Sequence, residues 1–280
     1  MQEIFIDSPR GRIAALRGGN PDGAPLLAMH GWLDNAASFV PLMPRLAEFD
    51  VVALDLPGHG ASAHRAEGYD YAFVDWIHDA IDALDGLRWP RARLLGHSMG
   101  AAIATLVAAS APGRVERMAL IEALGPIAGA ATQAGERLRA AVHARRTAAD
   151  RPRRTIPNVE LAVKARLAVG DMSDAAARLI VTRNLEAVEG GWRWRSDPRL
   201  VLPSHLRITE EAAVSIVEAV EAPTLLIAAD PAPPYFTAQL RDARLKHLRD
   251  GRLVVLPGGH HLHMEQPEVV APLLLEFLRG

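Results

Sequence analysis

The sequence predicts an α/β protein with a mostly parallel, eight-stranded sheet and helices on both faces. Three observations lead to this prediction. Short apolar runs alternate with longer helical patterns along the 280 residues, as in strands joined by crossover helices. A Gly-x-Ser-x-Gly turn at residues 96–100 lies between an apolar run and an Ala-rich stretch. One long helical stretch, residues 125–205, interrupts the alternation and reads as an insertion.

Apolar and often β-branched runs define the eight predicted strands. They cover residues 3–7, 12–17, 25–29, 50–55, 92–95, 117–121, 224–228 and 252–256. The first two are joined by a short turn at Ser8-Pro9-Arg10-Gly11, so we expect a hairpin there. Helical patterns occupy residues 71–84, 101–110, 210–220 and 267–278.

Composition excludes several classes of function. The chain is 49 % hydrophobic with a net charge of −2, so we expect a soluble globular protein with no nucleic-acid or membrane partner. It contains no cysteine, which excludes disulfides, thiolate metal sites and a cysteine nucleophile. The amino terminus does not resemble a signal peptide, so the cytoplasm is the expected location. The composition does not predict an oligomeric state.

Residues 125–205, which we call the lid segment, differ from the rest in charge as well as in pattern. They contain 14 Lys and Arg but 8 Asp and Glu, and no convincing strand. We therefore expect two units: an α/β core of residues 1–124 and 206–280, and a helical lid over the active site. A basic lid would favour substrates with a carboxylate or phosphate. Alternatively, its arginines cover an outer, solvated surface.

The turn Gly96-His97-Ser98-Met99-Gly100 has the pattern of a nucleophile elbow, which presents a serine hydroxyl above a sheet. Serine is a weak nucleophile until a base, usually a histidine oriented by a carboxylate, takes its proton. In sheets of this kind the acid and then the histidine follow the serine in the chain.

The histidine should therefore follow the last strand. His260 is the predicted base, because Gly258-Gly259 allows the preceding loop to fold back over the sheet. His261 is the competing candidate, and His263 is expected to begin the final helical segment.

Two backbone N–H groups are needed to stabilise the oxyanion that forms during acyl transfer. Met99, directly after the nucleophile, is expected to supply one of them. Trp32, in the loop after the third strand, is expected to supply the other. The side chains of Trp32 and His97 are predicted to contact substrate.

Four motifs together resemble a known family. They are Met29-His30-Gly31-Trp32, Asp55-Leu56-Pro57-Gly58-His59-Gly60-Ala61-Ser62, the serine elbow, and Gly259-His260 followed by Met264-Glu265-Gln266-Pro267. The chain resembles the α/β-hydrolase-fold enzymes with lids, which include epoxide hydrolases, haloalkane dehalogenases and many esterases. Residues 29–39 and 58–64 are similar to the serine hydrolase-like proteins. Epoxide hydrolases and dehalogenases have an aspartate where Ser98 stands, so the resemblance does not imply their reactions here.

The acid of the triad has two candidates. Many members of this family place it after the seventh strand, where this chain has Asp230, about two residues earlier than usual. Others place it after the sixth strand, where Glu122 ends an apolar run. A lone buried carboxylate is costly, so an acid at that position needs a partner. We favour Glu122 and keep Asp230 as the alternative.

The predicted activity is hydrolysis of a small to medium ester, thioester or lactone through an acyl-enzyme on Ser98, with no metal or cofactor. Carbon–carbon bond hydrolysis or cofactor-free haloperoxidase chemistry on the same triad is an alternative. A ligand-binding protein of the same fold without turnover is a second alternative.

Overall fold

One eight-stranded sheet organises the chain in the computed structural model, in which residues 1–148 and 155–280 are described. The described strands are β1 (Gln2–Ile6), β2 (Ile13–Gly19), β3 (Pro25–Met29), β4 (Asp50–Leu54), β5 (Ala92–His97), β6 (Val115–Ile121), β7 (Leu185–Val188), β8 (Gly191–Trp194), β9 (Thr224–Asp230) and β10 (Gly251–Pro257). The large sheet has the order β1-β2-β4-β3-β5-β6-β9-β10. β1 and β2 pair antiparallel, as do β2 and β4, and every other neighbouring pair is parallel.

Helices cover both faces of this sheet. The described α-helices are α1 (Asp75–Gly86), α2 (Met99–Ser110), α3 (Ala134–Ala148), α4 (Val159–Leu167), α5 (Asp174–Asn184), α6 (Glu210–Glu218), α7 (Ala238–Leu245), α8 (Leu262–Glu265) and α9 (Pro267–Arg279). One apolar core contains residues of α1, α2 and α6. The other contains residues of α9 and of the short 3-10 helices at Ala36–Phe39 and Met43–Leu46. The predicted fold class is confirmed.

The composition of the helices follows their positions. α2 is apolar and almost wholly buried because it lies between the sheet and two other helices, α1 and α6. Its small alanine side chains allow close packing on β5 and β6. α9 is instead amphipathic and buries Val270, Leu274 and Leu278 against the opposite face. No helix in the described ranges combines the length and apolar character needed to cross a membrane.

The prediction that residues 125–205 contain no strand is wrong. β7 and β8 form an antiparallel hairpin with Gly190 and Gly191 at its turn, both at positive φ (80° and 148°). Trp192 and Trp194 pack against a small apolar cluster formed with α4 and α5. Arg193, between them, pairs with a glutamate of β7. The alternation of tryptophan and arginine is thus a period-two strand pattern within an Ala- and Arg-rich region.

The lid segment contacts the core at several points above the carboxyl ends of the strands. Asn35 donates a hydrogen bond to the carbonyl of Ile180 over 2.8 Å. The guanidinium of Arg183 lies within 3.0 Å of both oxygens of the Asp55 carboxylate. These contacts fix α5 beside the loops that carry the candidate site.

Candidate active site

Ser98 lies in a strained turn between β5 and α2. Its φ of 51° and ψ of −113° are unusual for a residue with a side chain, at a cost of about 1–3 kcal/mol. Its N–H donates to the carbonyl of Ile121 on the neighbouring strand. A Cβ on Gly96 would lie 2.5 Å from the backbone of Ala101, and one on Gly100 would overlap the carbonyl of Met29. Both glycines are therefore required for the close approach that holds this serine.

Glu122 also has a strained backbone, with a φ of 65°, and its side chain is fully buried. One carboxylate oxygen accepts a hydrogen bond from the backbone N–H of Ala229 on β9 over 2.5 Å. The other lies 3.2 Å from Nδ1 of His260. Both oxygens of the buried carboxylate thus have polar partners, which offset the free-energy cost of burying it.

The structure brings His260 to Glu122 and not to Asp230. Asp230 is exposed at the end of β9, and its backbone carbonyl accepts a hydrogen bond from Gly258. Gly258 has a φ of 149°, which allows the loop after β10 to turn back over the sheet. His261, the competing base, points away from this site, and its Nε2 lies 3.3 Å from the Asp34 carboxylate.

Tyr235 makes a contact with His260 that was not expected. Its hydroxyl lies 2.8 Å from Nδ1 and 3.2 Å from Nε2 of the imidazole. Burial, followed by the Glu122 charge, raises the pKa of Tyr235 above its usual range, so the hydroxyl keeps its proton and can donate. Within the described part of the chain, no side-chain hydrogen bond joins Ser98 to His260. The tyrosine hydroxyl therefore shares Nδ1 with the Glu122 carboxylate and also reaches Nε2, the nitrogen that the serine would use.

The two predicted oxyanion donors lie near the serine turn. Met99 is the first residue of α2, where backbone N–H groups have no intrahelical acceptor, and Ser98 does not cap the helix. The Trp32 N–H has no acceptor among the residues described. The Trp32 side chain is 52 % exposed, and its indole nitrogen donates to the carbonyl of Leu200 in the lid segment. It is thus placed where a substrate could contact it.

The prediction that His97 contacts substrate needs correction, because the side chain is completely buried beneath the site. Its Nε2 lies 2.9 Å from the carbonyl oxygen of His260. Burial, and then the neighbouring histidines, hold the pKa of His97 well below its usual value. His97 also lies beside Asp34 and His261, and these three residues are the described group that could hold a metal ion.

His30 and His59 brace the loops around the site. The ring of His30 bonds to the carbonyl of Gly31 through Nδ1 and accepts from the N–H of Leu56 at Nε2. Burial lowers the pKa of His30 to about 4 and that of His59 to about 3. Both rings are therefore neutral structural groups. In His30, Nδ1 donates a hydrogen bond and Nε2 accepts one.

Among the residues described, six arginines of the lid segment are held in ion pairs. The paired arginines are Arg145, Arg166, Arg178, Arg183, Arg193 and Arg199. Arg166 and Arg183 pair with carboxylates of the core, and Arg178 pairs with carboxylates on its own and the neighbouring helix. Arg193 and Arg199 likewise pair within the lid segment, so much of its excess of positive charge remains, and the preference for anionic substrates stays a prediction.

Comparison with known proteins identifies the class. Residues 24–267 match the family model for the alpha/beta hydrolase fold. The chain belongs to this family, as the sheet order and the serine turn indicate.

The more similar relatives are serine hydrolase-like proteins. One from Dictyostelium discoideum is 32 % identical over 90 % of this chain and 74 % of its own length. Another from Danio rerio is 30 % identical over 99 % of this chain and 88 % of its own. The crystal structure of a hypothetical protein from Pseudomonas aeruginosa PAO1 is 42 % identical, with a TM-score of 0.93 and full coverage of both chains.

Sequence reasoning missed the contacts of Tyr235 and Asp34. Tyr235 follows two prolines in an irregular loop, where no periodic pattern places a side chain. Asp34 lies three residues beyond Gly31 in the loop after β3 and is almost completely buried. The sequence alone gives no reason to single out this aspartate, because its contact with His261 joins residues 227 positions apart.

We expect Tyr235→Phe to speed the reaction of Ser98 with a fluorophosphonate probe. Removing the hydroxyl frees His260 from a competing hydrogen bond worth about 0.5–1.5 kcal/mol, so labelling should accelerate roughly two- to tenfold. Tyr69→Phe is the matched control, because Tyr69 is 70 % exposed. Slower labelling of Tyr235→Phe would mean that the hydroxyl assists His260.

Stability should fall in acid because His30 is buried as the neutral base. Its pKa is about 4 in the folded chain and ordinarily 6.5, so the unfolded chain binds more protons between these values. The contribution of neutral His30 to the free energy of unfolding is complete above pH 6.5. Below that pH it decreases by up to about 1.4 kcal/mol per pH unit. Urea unfolding between pH 7.5 and 5 should show a smaller loss for His30→Asn than for wild type. The exposed-site control His78→Asn should behave as wild type, and equal slopes in all three proteins would contradict the assignment.

Proposed function

We propose that the protein is a serine hydrolase that cleaves a small to medium ester, thioester or lactone through an acyl-enzyme on Ser98. The observation that carries the proposal is the 3.2 Å contact between His260 Nδ1 and the fully buried Glu122, at the strand ends beside the strained serine. A carboxylate at Nδ1 favours the tautomer in which Nε2 is the free base.

The reaction proceeds in two acyl transfers. The Ser98 hydroxyl adds to the substrate carbonyl as His260 Nε2 takes its proton, and the Trp32 and Met99 N–H groups stabilise the oxyanion. Collapse breaks the bond to the leaving group, which receives the proton from His260. Water then adds to the acyl-enzyme by the same route, which releases the acid and restores Ser98. Glu122 stabilises the imidazolium that forms in both steps.

The lid segment fits a role in substrate selection. Its Leu200 carbonyl accepts from the exposed Trp32 indole, and Arg166 reaches Asp34 in the loop after β3. We therefore place the acyl chain between Trp32 and the lid segment.

Ligand binding without turnover is the second candidate, and the Tyr235 contact is the observation that favours it. The Tyr235 hydroxyl lies within hydrogen-bond distance of both ring nitrogens of His260. Hydrolysis requires this hydroxyl to move away, whereas a binding protein would have no such requirement. Turnover of a simple ester distinguishes the two candidates.

We expect wild type to hydrolyse p-nitrophenyl acetate and butyrate over many turnovers and to react covalently with a fluorophosphonate. Ser98→Ala should do neither, because it lacks the nucleophile. Its melting temperature should equal that of wild type. Labelling that persists in Ser98→Ala would place the nucleophile elsewhere. Absence of turnover in wild type over an ester library would favour the binding function.

Glu122→Gln should lower kcat by about 10³- to 10⁴-fold, since it removes the charge that stabilises the imidazolium. Asp230→Asn is the matched control at the alternative acid, and its kcat should stay within about threefold of wild type. Both variants should be compared by steady-state kinetics and by their melting temperatures. The reverse ranking of the two variants would move the acid to the end of β9.

A further inference from the structure

A second cluster of polar side chains lies directly beneath the catalytic histidine. His97 ends β5, Asp34 lies in the loop after β3, and His261 follows His260 after β10. Their exposed fractions are 0 %, 1 % and 5 %. One potential ligand atom from each lies within 4.8 Å of the others. The Asp34 Oδ2 is 3.3 Å from His261 Nε2 and 3.7 Å from His97 Nδ1.

The hydrogen bonds of His97 determine which nitrogen carries its proton. The carbonyl oxygen of His260, 2.9 Å from Nε2, can only accept, so a neutral His97 has its proton on Nε2. The buried Nδ1 has no hydrogen-bond partner among the described residues. It therefore presents a lone pair toward the Asp34 carboxylate oxygen. Two acceptor atoms that face each other in a dry site repel, unless a cation lies between them.

The loop backbone at Gly31 lies close against these atoms. A Cβ there would lie 2.9 Å from His97 Nδ1 and 3.1 Å from Asp34 Oδ2, so a larger residue would press on both groups. The other carboxylate oxygen of Asp34 accepts from Arg166 over 2.8 Å. This bond holds the carboxylate with Oδ2 facing the histidines. The carbonyl of His260 similarly orients the His97 ring. Metal ligands are usually held by such outer hydrogen bonds.

We propose that Asp34, His97 and His261 bind one divalent transition-metal ion, with Zn²⁺ the best match and water as the fourth ligand. Two imidazole nitrogens and a carboxylate oxygen are suitable ligands for Zn²⁺. Bonds of about 2.0–2.1 Å in a tetrahedral site place ligand atoms roughly 3.3 Å apart. Asp34 and His261 already have this spacing, and the wider spacings to His97 would close around the ion.

The ion would have a positioning role, separate from the acyl-transfer chemistry. It would tie together the end of β5, the loop after β3 and the loop after β10, and the last of these carries His260. Its binding does not depend on turnover, so this proposal stands or fails independently of the proposed hydrolase activity.

The test titrates the full-length, chelator-stripped protein with Zn²⁺ by calorimetry and with Co²⁺ by visible absorption. Wild type should bind one equivalent of Zn²⁺, and Co²⁺ should give the intense visible bands of a four-coordinate ion. His261→Gln and Asp34→Asn should each weaken Zn²⁺ binding by about 100-fold or more. The exposed-site control His78→Asn should bind as wild type.

A further variant separates this site from the triad. His260→Gln retains the three proposed ligands and should bind Zn²⁺ within about threefold of wild type. Loss of binding in His260→Gln with retention in His261→Gln would place the ion at the triad and overturn the proposal. Absence of stoichiometric binding in wild type, or only the weak absorption of six-coordinate Co²⁺, would also overturn it. Because the Co²⁺ bands are measured on wild type, this outcome does not depend on the folding of any variant.

Discussion

The buried carboxylate of Glu122 is the constraint on which the rest of the site depends. It lies at the end of β6 with no exposure to solvent, and it contacts the backbone of β9 through one oxygen and His260 through the other. An ionised group in such a place is costly unless both oxygens are satisfied. The same contacts that satisfy the carboxylate also bring the loop after β10 over the sheet and orient the imidazole.

The strained residues and the glycines of the site together hold Ser98 and Glu122 at the ends of neighbouring strands. Ser98 and Glu122 both have positive φ at the ends of adjacent parallel strands, where loops can converge on a substrate. Gly96 and Gly100 allow α2 to approach β3 and β5 closely enough to hold the serine turn. The extensive apolar packing of α2 offsets the cost of this strain.

The strands of the core could be predicted because burial on both faces leaves an apolar run that is visible in the sequence. All eight predicted strands are present, and the run at 25–29 matches β3 at both ends. β5 continues two residues past its prediction, to His97, because Gly96 and His97 still pair with β6. The hairpin of β7 and β8 was missed because its four-residue strands lie in a helical region and are only partly buried.

The site was only partly predictable for a different reason. Ser98, Glu122 and His260 follow strands, so chain order and strand ends indicate that they are near one another. The choice between Glu122 and Asp230 depends on the path of the loop after β10, which no periodic pattern determines. The contacts of Tyr235 and Asp34 likewise depend on loop conformation, and the contact between Asp34 and His261 joins residues 227 positions apart.

Whether Glu122 fixes the tautomer of His260 can be measured by ¹⁵N NMR of histidine-labelled protein. In wild type the His260 Nδ1 should carry the proton, with a coupling to it, and Nε2 should be unprotonated at a pH where the imidazole is neutral. Glu122→Gln should change this state and Asp230→Asn should preserve it. A His260 with its proton on Nε2 in wild type, or one that is unchanged in Glu122→Gln, would contradict this role of Glu122.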